Sequence, residues 1–218
     1  MKKFELTSEF VTFLGKKLFR IKALVSFGDV EEGELGGFVE KEENLDQSGD
    51  AWVSGDARVS GNAQVFGNAW VSGNARVFGD AQVFGNARVS GDARVFGNAQ
   101  VFGNAWVSGN ARVSGNAWVF GNAWVSGNAW VSGDAWVSGD AHIQCCRDCS
   151  AASCFGSENR TTTFFREKDG GIGVRCGCFY GTMSEFREKV KERHGDSRLA
   201  KEYLMLADLM EFRLSKDE

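Results

Sequence analysis

From Gly49 to Gln144 the chain repeats one six-residue pattern of apolar and polar positions: Gly, Asp or Asn, Ala, a variable residue, Val, then Ser or Phe. Sixteen copies follow without interruption, and only the last, Gly139-Asp140-Ala141-His142-Ile143-Gln144, is degraded. A helix fails, because a Gly in every unit costs about 1 kcal/mol each time. A coiled coil fails because its repeat is heptad. Strand geometry fits: Ala and Val are two apart and share a side, while the residue between them points the other way. Gly and Asn or Asp tolerate the left-handed backbone of a corner. Each hexad is therefore a short strand and a turn, with Ala and Val inside.

A second period lies over the first. Read every 18 residues, the variable position gives Trp52, Trp70, Arg88, Trp106, Trp124 and His142 on one face. It gives Arg58, Arg76, Arg94, Arg112 and Trp130 on the next, and Gln64, Gln82, Gln100, Trp118 and Trp136 on the third. The position after Val sorts in the same way, with Ser54 to Ser126 on the first face and Phe66, Phe84, Phe102 and Phe120 on the third. Three hexads thus make one coil, and residues 18 apart stack about 4.8 Å from one another. The pattern predicts a mainly β chain built on a three-sided parallel β-helix.

The unit Val-[Ser/Phe]-Gly-[Asp/Asn]-Ala-x resembles the hexapeptide pattern of left-handed β-helix proteins, which implies a left-handed coil. More narrowly, the chain resembles the "GNARV"-repeat proteins of bacteria and their phages, some of them labelled acyltransferases. Arg20-Ile21-Lys22-Ala23-Leu24, Leu35-Gly36-Gly37-Phe38-Val39-Glu40 and Cys176-Gly177-Cys178-Phe179-Tyr180-Gly181 carry that likeness outside the repeats. The resemblance implies a phage- or prophage-related protein in the cytoplasm of a bacterial host.

Residues 1–48 read as an N-terminal β cap. Apolar runs at Phe10–Leu14 and Leu18–Leu24 surround Gly15-Lys16-Lys17 as in a hairpin, and Glu43–Ser48 forms a first, imperfect rung. Open sheet ends need such caps. Residues 145–158 read as a Cys-rich linker, and 159–218 as a ββαα module. Within the module, Thr161–Arg166 and Ile172–Cys176 flank a Gly-rich turn, and Thr182-Met183-Ser184-Glu185 matches a capping box. One helix is predicted to about His194, before Gly195. A second, from about Ser197 to Leu214, places Ala200, Tyr203, Leu204, Ala207, Met210 and Leu214 on one face.

Composition narrows the function. Gly is abundant at 28, Pro is absent, and 18 Phe and 7 Trp argue against disorder. A net charge of -4 exerts no general pull toward nucleic acid or membrane. No apolar run suits a signal peptide or a transmembrane helix, so the six cysteines read as reduced thiols or metal ligands.

Acyl transfer requires a general base, and the histidines are His142, on the last rung, and His194, at a helix end. His142 is the candidate base, but no long loop interrupts the hexads to build a lid. Arg58, Arg76, Arg94 and Arg112 form a like-charged column that an anionic ligand or acidic surface would relieve, with Asp56 and Asp92 near enough to help. Trp52, Trp70, Trp106 and Trp124, with Phe66, Phe84, Phe102 and Phe120, form outward ladders suited to burial between chains, and less well to stacking sugars or bases. Cys149, Cys154, Cys176 and Cys178 are candidate zinc ligands without the paired C-x₂-C spacing of a zinc ribbon. Ice binding needs ranks of Thr, and a DNA mimic needs acidic columns; neither is present.

These residues point to a non-enzymatic binding or scaffold protein without a cofactor. It is expected to self-associate as a dimer or trimer and to engage a host defence protein or a small anionic nucleotide. An acyl-CoA-dependent acyltransferase and a structural virion component are the alternatives.

Overall fold

The structure is a computed structural model that describes residues 2–215. β1 (Phe4–Phe13) and β2 (Lys16–Ala23) form the expected antiparallel hairpin. Leu14 and Gly15 turn it with φ of 50° and 77°, the paired positive angles that match strand twist. β2 pairs with β3 (Leu35–Val39), which enters the solenoid with Phe38 beside Arg58 and Val39 beside Val59.

Sixteen short strands follow, β4 to β19, one per hexad from Trp52–Val53 to His142–Ile143. Each pairs in parallel with the strand 18 residues away, as in Trp52 with Trp70, Arg58 with Arg76, and Gln64 with Gln82. Three flat sheets result, and the three columns predicted from the 18-residue period are the columns observed. With the lead-in rung the solenoid makes about six turns. Ala and Val of every hexad point inward and are buried, which gives the prism a continuous core. At the corners the backbone is compressed. Gly91 has φ of +66°, and a Cβ there would lie 3.0 Å from the Gly109 nitrogen one coil below.

The first rung departs from the predicted phase. Leu45 pairs with Val65, so it fills a Val position rather than the Ala position that counting back in sixes assigns to it. Leu45 to Val53 spans two residues more than one repeat, and the extra length goes into the corner at Asp46–Ala51. Asn44 closes this rung from inside: it is fully buried, and its amide donates to the carbonyls of Gly61 and Ala63 at 3.1 and 2.8 Å.

The coils are linked with a direction. The N–H groups of the variable residue, of the residue after Val and of the corner Asn or Asp all donate to carbonyls one coil later, as in Trp52 to Ala69, Ser54 to Val71 and Asp56 to Gly73. Only the Val N–H runs the other way in the parallel ladder, so the top coil is left with an excess of free carbonyls and the bottom coil with an excess of free N–H groups, and both need partners. At the top, buried Lys3 donates from Nζ to the carbonyls of Ala51, Gly49 and Ser48 at 2.9, 3.3 and 3.4 Å. At the bottom, Asp148 Oδ2 accepts from the N–H groups of Gln144 and Cys145 at 2.9 Å each, while Asp148 Oδ1 lies 3.0 Å from Arg166 Nε. A cation closes the carbonyl end and an anion the N–H end, the logic of helix termini.

The corner side chains follow the same direction. Asn62 donates to Asp80, Asn98 to Asn116, and Asn116 to Asp134, at 2.8 to 3.0 Å. Asp accepts from the rung above but has no N–H to pass on, so each Asp ends a run.

The C-terminal module departs from the expected layout in its strand count. The segment 145–158, expected as a linker, contains β20 (Cys149–Phe155). This strand joins β21 (Arg160–Arg166), β22 (Ile172–Cys176) and β23 (Phe179–Thr182) in one antiparallel sheet. β20 carries a bulge between Ala152 and Phe155, with Cys154 at φ of 64°, which breaks the alternation that would mark a strand. The helices α1 (Met183–His194) and α2 (Arg198–Leu214) pack on this sheet. Thr182 and Glu185 form the predicted capping box, and α2 buries the predicted face with Leu206 added and Leu204 half-buried. Phe165 joins the solenoid core from below, and Thr163 Oγ1 accepts the N–H of Trp136 at 3.0 Å, so the module is the bottom cap. Among the described residues no helix is long and apolar enough to cross a membrane.

Candidate functional site

The caps take over part of each outward ladder. Trp52, expected at an interface, is fully buried instead. Phe4 and Phe27 pack edge-on against it with centroids 6.5 and 5.4 Å away, because the N-terminal lead-in folds back over the first coil. Trp70 is half-buried beside it. On the second face the tip of the β1–β2 hairpin lies over the arginine column. The Phe13 ring sits 5.7 Å from the guanidinium of Arg58 and 5.1 Å from that of Arg76, and it meets Phe78 edge-on. The upper two arginines thus already have an aromatic partner. Arg94 is half-buried and Arg112 exposed. Among the described residues neither Asp56 nor Asp92 forms an ion pair with them; Asp92 instead accepts from Asn74.

On the third face Phe66, Phe84, Phe102 and Phe120 stack in parallel at 4.8 to 4.9 Å and are half-buried. Trp118 stacks on Trp136 at 4.9 Å. The Arg175 guanidinium of the C-terminal module lies 5.3 Å from the Phe120 ring and 5.7 Å from the Trp136 ring. The lower end of this ladder is therefore engaged by the chain's own cap.

What remains open is the wall where the first and second faces meet, in the lower coils. Trp106, Trp124 and Trp130 are 43%, 39% and 51% exposed, and Arg112 adjoins Trp130 in register. These side chains are held in place. Trp106 stacks on Trp124 at 5.5 Å and Trp124 on His142 at 4.8 Å. The indole N–H groups of Trp106, Trp124 and Trp130 donate to Ser90, Ser108 and Ser114 at 3.2, 3.3 and 3.1 Å. Each of those serines lies 16 residues before its Trp, a spacing readable in the sequence. Where that position holds Phe instead, as Phe102 before Trp118, the rings meet edge to face. The stacked rings present their edges outward and their faces to one another, which disfavours laying a sugar or base flat on the ladder.

His142, the candidate base, stacks on Trp124, and its Nε2 lies 3.0 Å from the Gln144 amide nitrogen, which is placed to donate to it. The recess beside it is lined by Gln144, Asp148, Arg166, Glu167 and Lys168. Asp148 and Arg166 are spent on the bottom cap, and Glu167 accepts from the Tyr180 hydroxyl at 2.7 Å, so both carboxylates of the recess are engaged away from His142. His194 stacks on Tyr203 at 5.7 Å, inside the C-terminal module.

The structure does not gather Cys149, Cys154, Cys176 and Cys178 into a ligand set, and among the described residues no group of three or more metal-ligating side chains is brought together. Cys149 packs against the solenoid core at the near end of the module; burial, aided by Asp148, pushes its thiol up to about 12. Cys176 lies in the opposite, helix-covered layer, where its Sγ accepts from Thr162 Oγ1 at 3.2 Å.

Comparison with known protein families matches the repeat segment to the YdcK beta solenoid repeat, at residues 51–65, 63–79, 69–85, 81–97, 87–103, 105–121 and 111–127. The matched windows fall inside the observed solenoid and support a repeat β-solenoid family. No curated protein matches the chain.

Proposed function

We propose that this β-solenoid protein is a non-enzymatic binding scaffold, which holds an acidic protein surface against the tryptophan–arginine wall of its lower coils. The observation that carries this reading is the pre-ordered, exposed set of Trp106, Trp124 and Trp130 beside Arg112. Trp and Arg are the residues that dominate binding hot spots. Side chains already fixed by stacking and by indole–serine hydrogen bonds lose little entropy on association. The guanidinium of Arg112, without an ion-pair partner among the described residues, favours a carboxylate-rich partner. The resemblance to phage-borne repeat proteins makes a bacterial host protein the partner to look for. The proposed site lies lower on the prism than Arg58 and Arg76, whose guanidinium groups already face the Phe13 ring.

Two double variants test the reading against one captured partner: Trp106→Ala with Trp124→Ala, and Arg94→Glu with Arg112→Glu. Both are expected to weaken binding in biolayer interferometry by at least about tenfold. Arg58→Glu with Arg76→Glu should leave binding largely intact. Affinity unchanged in the first two variants refutes the proposal. A second copy of the chain is the other occupant this wall could take, and sedimentation velocity of the purified protein separates the two: a dimer or trimer lost in the Trp double variant selects self-association.

A further inference from the structure

We infer that the C-terminal module carries a separate site, which takes a small organic anion with a flat or short apolar body, in the cleft between two sheet turns and the end of α1. The cleft has a volume of about 90 Å³. That is room for one ring or a short chain, not a drug-sized ligand. Its floor is apolar: Phe186, Val190 and Tyr203 are buried in the module's core, and Phe179 is half-buried beside them. Phe186 and Tyr203 meet edge to face at 5.9 Å, which leaves a rigid aromatic base.

The floor also offers a polar handle. The Tyr203 hydroxyl packs against Gly156 at the cleft, which Ser157 and Cys176 also line. Gly156, at φ of +73°, permits this approach, since a Cβ there would overlap the hydroxyl.

The rim is cationic. Arg160, Lys189 and Arg193 line it against one carboxylate, Glu158, whose separation from Arg160 is a loose 3.9 Å. Lys189 is held by Glu192 at 2.7 Å, while Arg193 has no ion-pair partner among the described residues. Basic residues at the end of α1 would be explained by the helix dipole alone. The dipole does not explain Arg160, which comes from the sheet and faces the same opening. Positive rim, aromatic floor and buried hydroxyl together match an anionic head on an apolar body, with phosphate and carboxylate as the groups guanidinium binds best.

Phenyl phosphate is the probe, titrated into the full-length protein and followed by amide chemical shifts. Saturable shifts at Gly177, Val190 and Tyr203 are expected. Arg193→Glu should weaken binding by at least about tenfold, and Arg193→Gln should weaken it by less. Circular dichroism should be unchanged in both, since Arg193 is exposed. Inorganic phosphate should bind more weakly than phenyl phosphate. No saturable shift at these residues, equal affinity in Arg193→Glu, or inorganic phosphate binding as tightly as the phenyl ester would each overturn the inference. None of these readouts involves the solenoid wall, so the outcome is independent of the scaffold reading.

Discussion

Lys3 offers the sharpest physical test of how the solenoid is closed. Its ammonium is buried over the free carbonyls of the top coil and against the Phe27 ring, and burial lowers its pKa from 10.5 to about 8, opposed by Asp46 and Asp50. A lysine whose folded pKa is depressed is bound more tightly by protons in the unfolded chain. Its charge therefore costs the fold about 3 kcal/mol below pH 8, and that cost is relieved as pH rises toward the unfolded value. Between about pH 7.5 and 9.5 the relief amounts to roughly 2 kcal/mol. Cys149 acts in the opposite sense, because its raised thiol lets only the unfolded chain ionise above about pH 9. Comparison with Lys3→Met cancels that contribution. Urea unfolding of both proteins across this range should show the difference in free energy shifting by roughly 2 kcal/mol in favour of wild type. Parallel profiles would mean that the carbonyls of Ser48, Gly49 and Ala51 fully replace the water lost by the Lys3 ammonium, and would refute the desolvation cost.

Two further outcomes follow from the direction of the coils. Asp80→Asn supplies the N–H missing between Asn62 and Asn98, joining two runs of the corner ladder; it should stabilise the protein by roughly 0.5–1 kcal/mol in urea, and a loss of stability would contradict the donor–acceptor order described. Asp148→Ala removes the acceptor for two backbone N–H groups and the partner of Arg166, both members of that ion pair being mostly buried, and should cost roughly 2–4 kcal/mol. Hydrogen exchange at Gln144 and Cys145 should accelerate in that variant before the middle coils respond, and uniform acceleration would argue against a local cap.

The solenoid was legible because its register is a property of spacing. A residue at the variable position must sit beside the one 18 places on, whatever its type, so the Arg, Gln and Trp columns could be read directly. Exposure along those columns could not. Trp52 and Trp124 occupy equivalent positions, yet one is sealed by Phe4 and Phe27 and the other is open. Nothing in the repeat encodes where a cap folds back. For the same reason the repeat does not distinguish Arg58 and Arg76 from Arg112, although Phe13 lies over the first two. The phase of Leu45 was ambiguous because an apolar residue suits an Ala or a Val position equally, and only pairing with Val65 resolves it. The corner ladder is readable in principle, because the order of Asn and Asp down a corner column sets where donation passes on and where it stops. The cleft at Tyr203 joins residues from two turns and two helices, which no local pattern brings together.

The central claim, that the lower wall is the binding surface, is tested most directly by hydroxyl-radical footprinting of the protein in buffer and in clarified bacterial lysate. Trp106, Trp124 and Trp130 should lose reactivity in lysate, while Leu14 and Phe212, exposed at opposite ends of the molecule, keep theirs. Unchanged oxidation of the three tryptophans, with protection appearing elsewhere, would contradict the claim and move the binding surface off this wall.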